Sequence, residues 1–200
     1  MQQLELTDLA AQFEAAFTAL GGKFYRARGL AYAAEQIGLI IANAKAKSAV
    51  SWDVPLLREA RIEPALARHG IALTWADRSD DPASRLQLRE KALAVEFGIT
   101  TADFVLADTG SLVVLGKPRQ PRAVSLAPPR HIALVRPEDF VANLDEFFAR
   151  LRTKGPNVVE TMSSSMTFIT GTSRTSDIEK ILFKGIHGPL EVHVVYLEEA

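Results

Sequence analysis

The hydrophobic pattern along the chain changes repeatedly between the period of a helix and the period of a strand. The first apolar stripe recurs at helical spacing: Leu9, Phe13, Phe17 and Leu20. We expect this helix to be capped by Thr7 or Asp8 and to end at Gly21 and Gly22. The end of the chain has the other pattern, because side chains alternate over 190–197 as in a strand.

Helical and strand patterns also alternate between these two ends. Helices are predicted over 29–44, over 55–68 with a break at Pro64, over 84–97 before Gly98, and from Pro137 onward. Strands are predicted over 23–26, 48–52, 71–75, 104–106, 112–115, 124–126, 132–135 and 166–169. This alternation favours an α/β fold with a mainly parallel sheet covered on both faces. The short strands around Asp108 form a meander, which would make the pairing mixed.

Length and composition are those of a globular protein. We expect the 200 residues to form a single domain, and 48% hydrophobic residues are enough for a buried core. A net charge of −1 gives no general attraction to nucleic acid or to an anionic membrane. The first residues lack the basic region of a secretory signal, and no uncharged apolar run is long enough to span a bilayer. A cytoplasmic location is therefore expected.

The chain contains no cysteine. It therefore has no disulfide, no thiol nucleophile and no thiolate ligands for an iron–sulfur cluster. The four histidines are scattered without a His-x-x-x-His pair, so no metal site is predicted. A Walker loop, a Gly-x-Gly-x-x-Gly fingerprint and a Gly-x-Ser-x-Gly elbow are also absent, and no cofactor is expected.

The stretch 169–189, ITGTSRTSDIEKILFKGIHGP, carries the densest candidate chemistry. A buried strand is predicted to end before Gly171, and a helix is predicted over 177–184. Unpaired N–H groups at the start of such a helix favour an anion, and the Arg174 guanidinium adds a planar fork for a carboxylate or phosphate. Hydroxyl caps of this kind are equally common without a ligand. The residues that would bind the anion are Gly171, Ser173, Arg174 and Thr175.

A second candidate site surrounds Asp108. Its carboxylate stands beside a glycine turn, where it could act as a base, a nucleophile or a hydrogen-bond acceptor, or simply brace the turn. His187, in a glycine-rich loop, is the other candidate for acid–base chemistry, whereas His193 is interpreted as structural. We expect Asp108 and His187 to share one cleft. The residues that could offer backbone N–H groups to an anion are Thr109, Gly110 and Ser111.

These segments resemble the signature of the lactate-utilization protein C family, also called the LUD domain. The family's Gly-x-Ser-Arg-Thr-x-Asp-Ile-Glu segment is matched at 171–179, and its Gly-x-His-Gly-Pro segment at 185–189. Another match lies at 107–111, where the family often has Glu in place of Asp108. Residues 1–90 match only loosely. A further short match comprises Pro128, Pro129, His131 and Ile132.

The resemblance implies a three-layer α/β/α fold similar to those of CoA transferases and phosphosugar isomerases, with residues 1–200 as one domain. It implies a component of bacterial L-lactate utilization, the oxidation of L-lactate to pyruvate, acting with iron–sulfur partner proteins and binding a small anion or a partner. The alternative is an independent enzyme acting on an acyl-CoA or a sugar phosphate, with Asp108 as nucleophile or base. A structural adaptor with an empty site is a third possibility.

Overall fold

The structure is a computed structural model that describes residues 2–76, 81–117, 120–153, 165–172, 174–176, 182–184 and 188–199. Its helices are α1 Gln2–Ala19, α2 Leu30–Asn43, α3 Pro55–Glu59, α4 Ile62–Arg68, α5 Pro82–Ala94, α6 Ala123–Leu126 and α7 Leu144–Thr153, with a 3-10 helix at Pro137–Asp139. Its strands are β1 Lys23–Arg28, β2 Ser48–Trp52, β3 Ala72–Ala76, β4 Phe97–Thr101, β5 Phe104–Leu106, β6 Ser111–Leu115, β7 Arg130–Val135, β8 Phe140–Val141, β9 Met166–Thr170, β10 Arg174–Ser176, β11 Leu182–Lys184 and β12 Glu191–Glu199.

Six strands form an all-parallel sheet in the order β1-β12-β7-β4-β2-β3. Parallel strands are normally buried on both faces, which explains their nearly continuous apolar sequences. In β7 every residue after Arg130 is buried, and β12 is buried throughout 192–197. The mainly parallel sheet that the sequence predicts is therefore confirmed.

Helices cover both faces of this main sheet. On one face α2 packs against β1 and β12. On the other face the ring of Phe13 in α1 lies 5.8 Å from that of Phe24 in β1, and Phe24 stacks at 5.8 Å on Tyr196 in β12. Because side chains alternate along a strand, Tyr25 points the opposite way, toward α2. Within the described ranges, no helix is long and apolar enough to cross a membrane.

A smaller four-stranded sheet has the order β8-β5-β6-β9. It contains the meander predicted around Asp108, since β5 and β6 are antiparallel neighbours, β6 pairs antiparallel with β9, and β8 pairs parallel with β5. The mixed pairing therefore belongs to a separate sheet and leaves the main sheet parallel. The side chains of its own small core are Phe104, Leu106, Val113, Leu115, Val141 and Phe147.

The predicted helix over 84–97 is wrong at its end. Helix α5 stops at Ala94, and the central strand β4 begins at Phe97. Gly98 is not a helix stop but a point of close approach, because a Cβ there would lie 1.7 Å from the carbonyl oxygen of Val124. A glycine after an apolar run is typical of a helix end as well as of a close backbone contact, so the sequence pattern favoured the wrong element.

Residues 124–126 lie in the short helix α6, and not in the predicted strand. Val124 is buried in this turn, whereas Leu126 is 38% exposed. The chain entering the helix is fixed by Trp52, whose indole N–H donates a hydrogen bond of 3.0 Å to the carbonyl oxygen of Pro121. A short apolar run between two proline-containing loops does not distinguish a strand from a single helical turn.

Two predicted helix starts also differ from the structure. Helix α1 begins at Gln2, so Thr7 and Asp8 lie inside it and do not cap it. Pro137 opens only one 3-10 turn, and β8 intervenes before α7 begins at Leu144. In α1 the pattern identified the buried residues Phe13 and Phe17. In α7 Phe147 is buried, whereas Leu144 and Phe148, predicted on the same inner face, are both 42% exposed.

The helical region 55–68 breaks at Arg61 and not at Pro64. Arg61 has a left-handed φ of 55° and precedes the first residue of α4. Pro64 lies in the first turn of that helix, where its missing N–H would have no helical partner in any case.

Candidate functional site

The turn between β5 and β6 presents Asp108 and Thr109 at the protein surface. Two backbone hydrogen bonds hold this turn beside β8. The N–H of Ala107 donates to the carbonyl oxygen of Val141 at 2.9 Å, and the N–H of Asp108 donates to the carbonyl oxygen of Ala142 at 3.1 Å. The side chains of Asp108 and Thr109 are exposed. A fixed backbone therefore presents a carboxylate and a hydroxyl to solvent.

Ser111 connects this turn to the segment that follows β9. Strands β6 and β9 are antiparallel, with Ser111 directly opposite Thr170. Their hydroxyl oxygens are 2.7 Å apart, which is hydrogen-bond distance. Because Gly171 follows Thr170 in the chain, the two stretches that the sequence singled out begin next to each other.

Two glycines allow these stretches to lie in close contact with the C-terminal end of α1. Gly110 has φ of 63°, and a Cβ on it would lie 2.6 Å from the backbone nitrogen of Phe17. Gly171 has φ of 71°, and its Cβ would lie 2.8 Å from the Cβ and 3.0 Å from the carbonyl oxygen of Leu20. Only glycine combines this backbone conformation with so close an approach. The end of α1 is thus a common support for both segments.

The residues just before the predicted helix start and those at its end form strands. Arg174–Ser176 forms β10 and pairs antiparallel with β11, Leu182–Lys184. The predicted helix over 177–184 is therefore wrong at 182–184, and 177–181 lie outside the described residues. Thr and Ser next to a glycine are compatible with a strand as well as with a helix cap, and the pattern could not separate the two. The anion site expected at the start of this helix, near residue 177, stays a prediction.

The predicted site residues have different outcomes. Arg174 and Thr175 lie in strand β10, shortly after Gly171 in the chain. Ser173 and His187 lie outside the described residues, so the shared cleft of Asp108 and His187 stays a prediction. The residues that the structure brings together are Asp108, Thr109, Gly110, Ser111 and Gly171.

The sequence did not indicate a cleft that opens at the amino-terminal edge of the main sheet. The cleft has a volume of about 280 Å³ and lies between α2 and the starts of four parallel strands. The side chains at those strand starts are Lys23, Phe97, Arg130 and Glu191. These positions are scattered along the chain, and only the strand order brings them together. We call this feature the amino-edge cleft.

Glu191 lies at the centre of the charges in the amino-edge cleft. Its carboxylate accepts hydrogen bonds from the ammonium of Lys23 and, at 3.1 Å, from Nε of Arg130. The Lys23 hydrogen bond, helped by Arg130, lowers the pKa of Glu191 to about 2. His193 is 4% exposed, and burial together with the charge of Lys23 lowers its pKa to about 4. At neutral pH, Glu191 is therefore charged and His193 is neutral.

Two other ionisable groups are buried in the core. His131 places Nε2 2.8 Å from the hydroxyl of Thr100, and burial together with His193 lowers its pKa to about 3. Asp139 is 9% exposed, and burial raises its pKa to about 6, although its carboxylate accepts a hydrogen bond of 2.8 Å from the N–H of Arg136. Both groups are neutral or nearly so in mildly acidic solution.

The fold defines a class of α/β proteins in which a parallel sheet between helices carries a smaller mixed sheet, and the candidate turn belongs to that smaller sheet. The sequence profile of the LUD domain matches residues 10–197. The chain therefore belongs to the LUD domain family, as the resemblance of its segments indicated.

Relatives and one solved structure are similar to this chain. Lactate utilization protein C of Halalkalibacterium halodurans is 28% identical over 82% of this chain and 69% of the relative. The protein of the same name from Shouchella clausii is 29% identical over 77% and 64%, and that from an Exiguobacterium species is 32% identical over 62% and 52%. The chain thus spans about half to two thirds of these relatives. A DUF162 family protein from Deinococcus radiodurans has the same fold, with a TM-score of 0.66 and 18% identity over 96% of this chain and 98% of the other.

Proposed function

We propose that this chain takes part in lactate utilization, as a component of a system that oxidises L-lactate to pyruvate. Three relatives called lactate utilization protein C support this role through matches over 62–82% of the chain. We place the site at the contact between Ser111 and Thr170. This contact connects the two parts of the chain, 107–111 and the segment that begins at 171, that match the family signature.

The proposed recognition surface consists of Asp108, Thr109, Gly171 and Thr172, with Arg174 proposed to extend it, and we call it the turn surface. Its polar side chains at Asp108 and Thr109 are exposed, while the backbone beneath them is held by hydrogen bonds and by Gly110. A preformed backbone lowers the entropy cost of binding a partner. This favours a docking role over a buried catalytic role for Asp108.

The partner would be an iron–sulfur protein. This chain has no cysteine, so thiolate-bound clusters that accept electrons from lactate would belong to another chain. Arg174 would provide a charged fork for a carboxylate, either of the partner or of L-lactate or pyruvate. In this role the chain binds and positions other components and holds no thiolate-bound cluster itself.

Affinity purification from the native host tests the proposed partner. The tagged chain should recover cysteine-rich proteins that contain iron, measured by mass spectrometry and iron content. Asp108→Asn should lower this recovery roughly tenfold, because it removes the exposed carboxylate charge of the turn surface. Asp145→Asn is the matched control, since Asp145 is another exposed aspartate, on α7.

Equal recovery with Asp108→Asn and Asp145→Asn would contradict docking at the turn surface. Recovery of no iron-containing protein by the unaltered chain would contradict the partner assignment. If the purified chain alone converted an acyl-CoA or a sugar phosphate, an independent enzyme would replace the proposed role.

A further inference from the structure

The strand register gathers the charged side chains of the amino-edge cleft on one face of the main sheet. Glu191 is opposite Arg130, and Arg130 is opposite Phe97. Lys23 is opposite His193, which lies two residues after Glu191 on the same strand. Partners in parallel strands, and alternate residues within one strand, point to the same face. These side chains therefore converge beneath α2.

Aromatic rings form the floor of the amino-edge cleft. Tyr25 stacks on His193 with ring centroids 5.9 Å apart and an interplanar angle of 9°. Phe97 lies 6.1 Å from His193 on the other side, and the guanidinium of Arg130 lies 5.4 Å from the centre of the Phe97 ring. The Phe97 ring is tilted by 53° against that of His193. Aromatic rings beneath a few polar groups are the usual composition of a small-molecule site.

Helix α2 forms the side of the cleft opposite the strands and contributes amide side chains that a ligand could hydrogen-bond. Gln36 and Asn43 of α2 line the cleft. Considering only the part of the chain that the structure describes, neither amide side chain has a hydrogen-bond partner. The ammonium of Lys23 has three N–H donors, and Glu191 accepts from it. Donors therefore remain for a ligand on both sides of the cleft.

The charges in the lining favour a monoanion. Lys23 and Arg130 contribute two positive charges, and among the described residues that line the cleft Glu191 is the only carboxylate. His193 contributes no charge at neutral pH, because burial keeps its pKa at about 4. A ligand with one negative charge would neutralise the net positive charge that Lys23, Arg130 and Glu191 leave in the lining. A second negative charge would be repelled by the Glu191 carboxylate and would have no cation to pair with.

We propose that the amino-edge cleft binds a small planar monocarboxylate, held by Lys23 and Arg130 with Gln36 as a further hydrogen-bond partner. The volume of about 280 Å³ lies just below the usual range for ligand sites, about 300–1,000 Å³, and so selects a small molecule. The cleft shares no residue with the turn surface, so variants at Lys23 and Gln36 test this site separately from the proposed function.

Calorimetry on the purified full chain at pH 7.5 and low salt tests the site with pyruvate and benzoate. At least one of these planar monocarboxylates should bind saturably, and benzamide, which is shaped like benzoate but uncharged, should not. Lys23→Met should weaken binding roughly tenfold, since a charge-assisted contact is lost. Gln36→Leu should weaken it roughly threefold or more. Lys91→Met, at an exposed lysine of α5, should leave the affinity unchanged.

Several results would overturn the proposal. These are no saturable binding of pyruvate or benzoate up to about 20 mM, equal binding of benzamide and benzoate, or equal affinities for Lys23→Met and Lys91→Met. Gln36→Leu keeps the test valid if Lys23→Met fails to fold, because the Gln36 amide holds no hydrogen bond within the described structure. An unchanged affinity in folded Gln36→Leu would remove α2 from the site and contradict the proposed pose.

Discussion

The hydroxyl oxygens of Ser111 and Thr170 lie 2.7 Å apart, although the two residues are 59 positions apart in the sequence. They face each other across β6 and β9 of the smaller sheet. The contact fixes where the Asp108 turn lies relative to Gly171. This side-chain contact adds to the backbone pairing of β6 with β9 in positioning the two segments of the turn surface.

A double-mutant cycle should detect this pair. We expect Ser111→Ala and Thr170→Val each to lower the free energy of unfolding, with a coupling energy of about 0.5–1.5 kcal/mol, because each variant leaves the other hydroxyl without its partner. Urea denaturation of the two single variants and the double variant measures it. Strictly additive effects would show that the two hydroxyls do not interact in solution.

Gly110→Ala should destabilise the protein by about 2–5 kcal/mol. The left-handed backbone alone costs about 1–2 kcal/mol for a residue with a Cβ, and the new methyl group would also overlap the backbone of Phe17. Gly70→Ala is the matched control, because Gly70 has a similar φ of 67° and nothing within 4 Å of its Cβ position. Thermal and urea unfolding should separate the two variants. Equal losses of stability in Gly110→Ala and Gly70→Ala would contradict the close contact between α1 and the turn.

The buried histidines should make the protein lose stability as the pH falls below neutral. An unfolded histidine takes up a proton near pH 6.5, whereas the folded pKa is about 3 for His131 and about 4 for His193. The unfolded state therefore binds more protons, and the free energy of unfolding decreases on acidification. Asp139 acts in the opposite sense, because its raised pKa of about 6 lets the folded state take up a proton in the same range.

Between pH 6 and 5 these three groups leave a net difference of about one proton, or about 1.4 kcal/mol per pH unit. His193→Phe removes one histidine and should bring the slope close to zero, while Asp139→Asn should make it steeper. Urea denaturation at several pH values measures the slopes. A slope for His193→Phe equal to that of the unaltered protein would show that His193 is not held neutral by burial.

The apolar periodicity predicted most helices and strands, because the apolar residues that each element buries are visible in its own sequence. The parallel strands β2, β7 and β12 are buried on both faces, and their apolar runs are visible without any neighbour. Gly98 and the run at 124–126 misled the prediction for one shared reason. They lie against each other in the fold, and the contact that explains the glycine is absent from either local pattern.

The candidate site was predictable to a smaller extent. The turn at Asp108 and the break at Gly171 were correctly placed at strand ends, because glycine and hydroxyl residues after an apolar run are typical of such ends. The hairpin of β10 and β11 was not predicted, since pairing between Arg174 and Lys184 is set by the partner strand. The amino-edge cleft was not predicted either, because Lys23 and Glu191 meet only through the strand order.

Arg174 provides a further test of the turn surface. Arg174→Lys keeps the positive charge but removes the planar fork, so recovery of the partner should fall roughly tenfold if the fork holds a carboxylate. The melting temperature should change little, because Lys is tolerated in an edge strand. A marked drop in melting temperature would instead assign Arg174 a structural role.

Growth on L-lactate as the sole carbon source tests the central claim most directly. We predict that deleting the gene in its native host abolishes this growth but not growth on pyruvate, and that the unaltered gene and Asp145→Asn restore it. Asp108→Asn, produced at the same level and folded, should restore it poorly. Normal growth of the deletion strain on L-lactate would contradict a role in lactate utilization, and full rescue by Asp108→Asn would contradict the turn surface as the site that serves it.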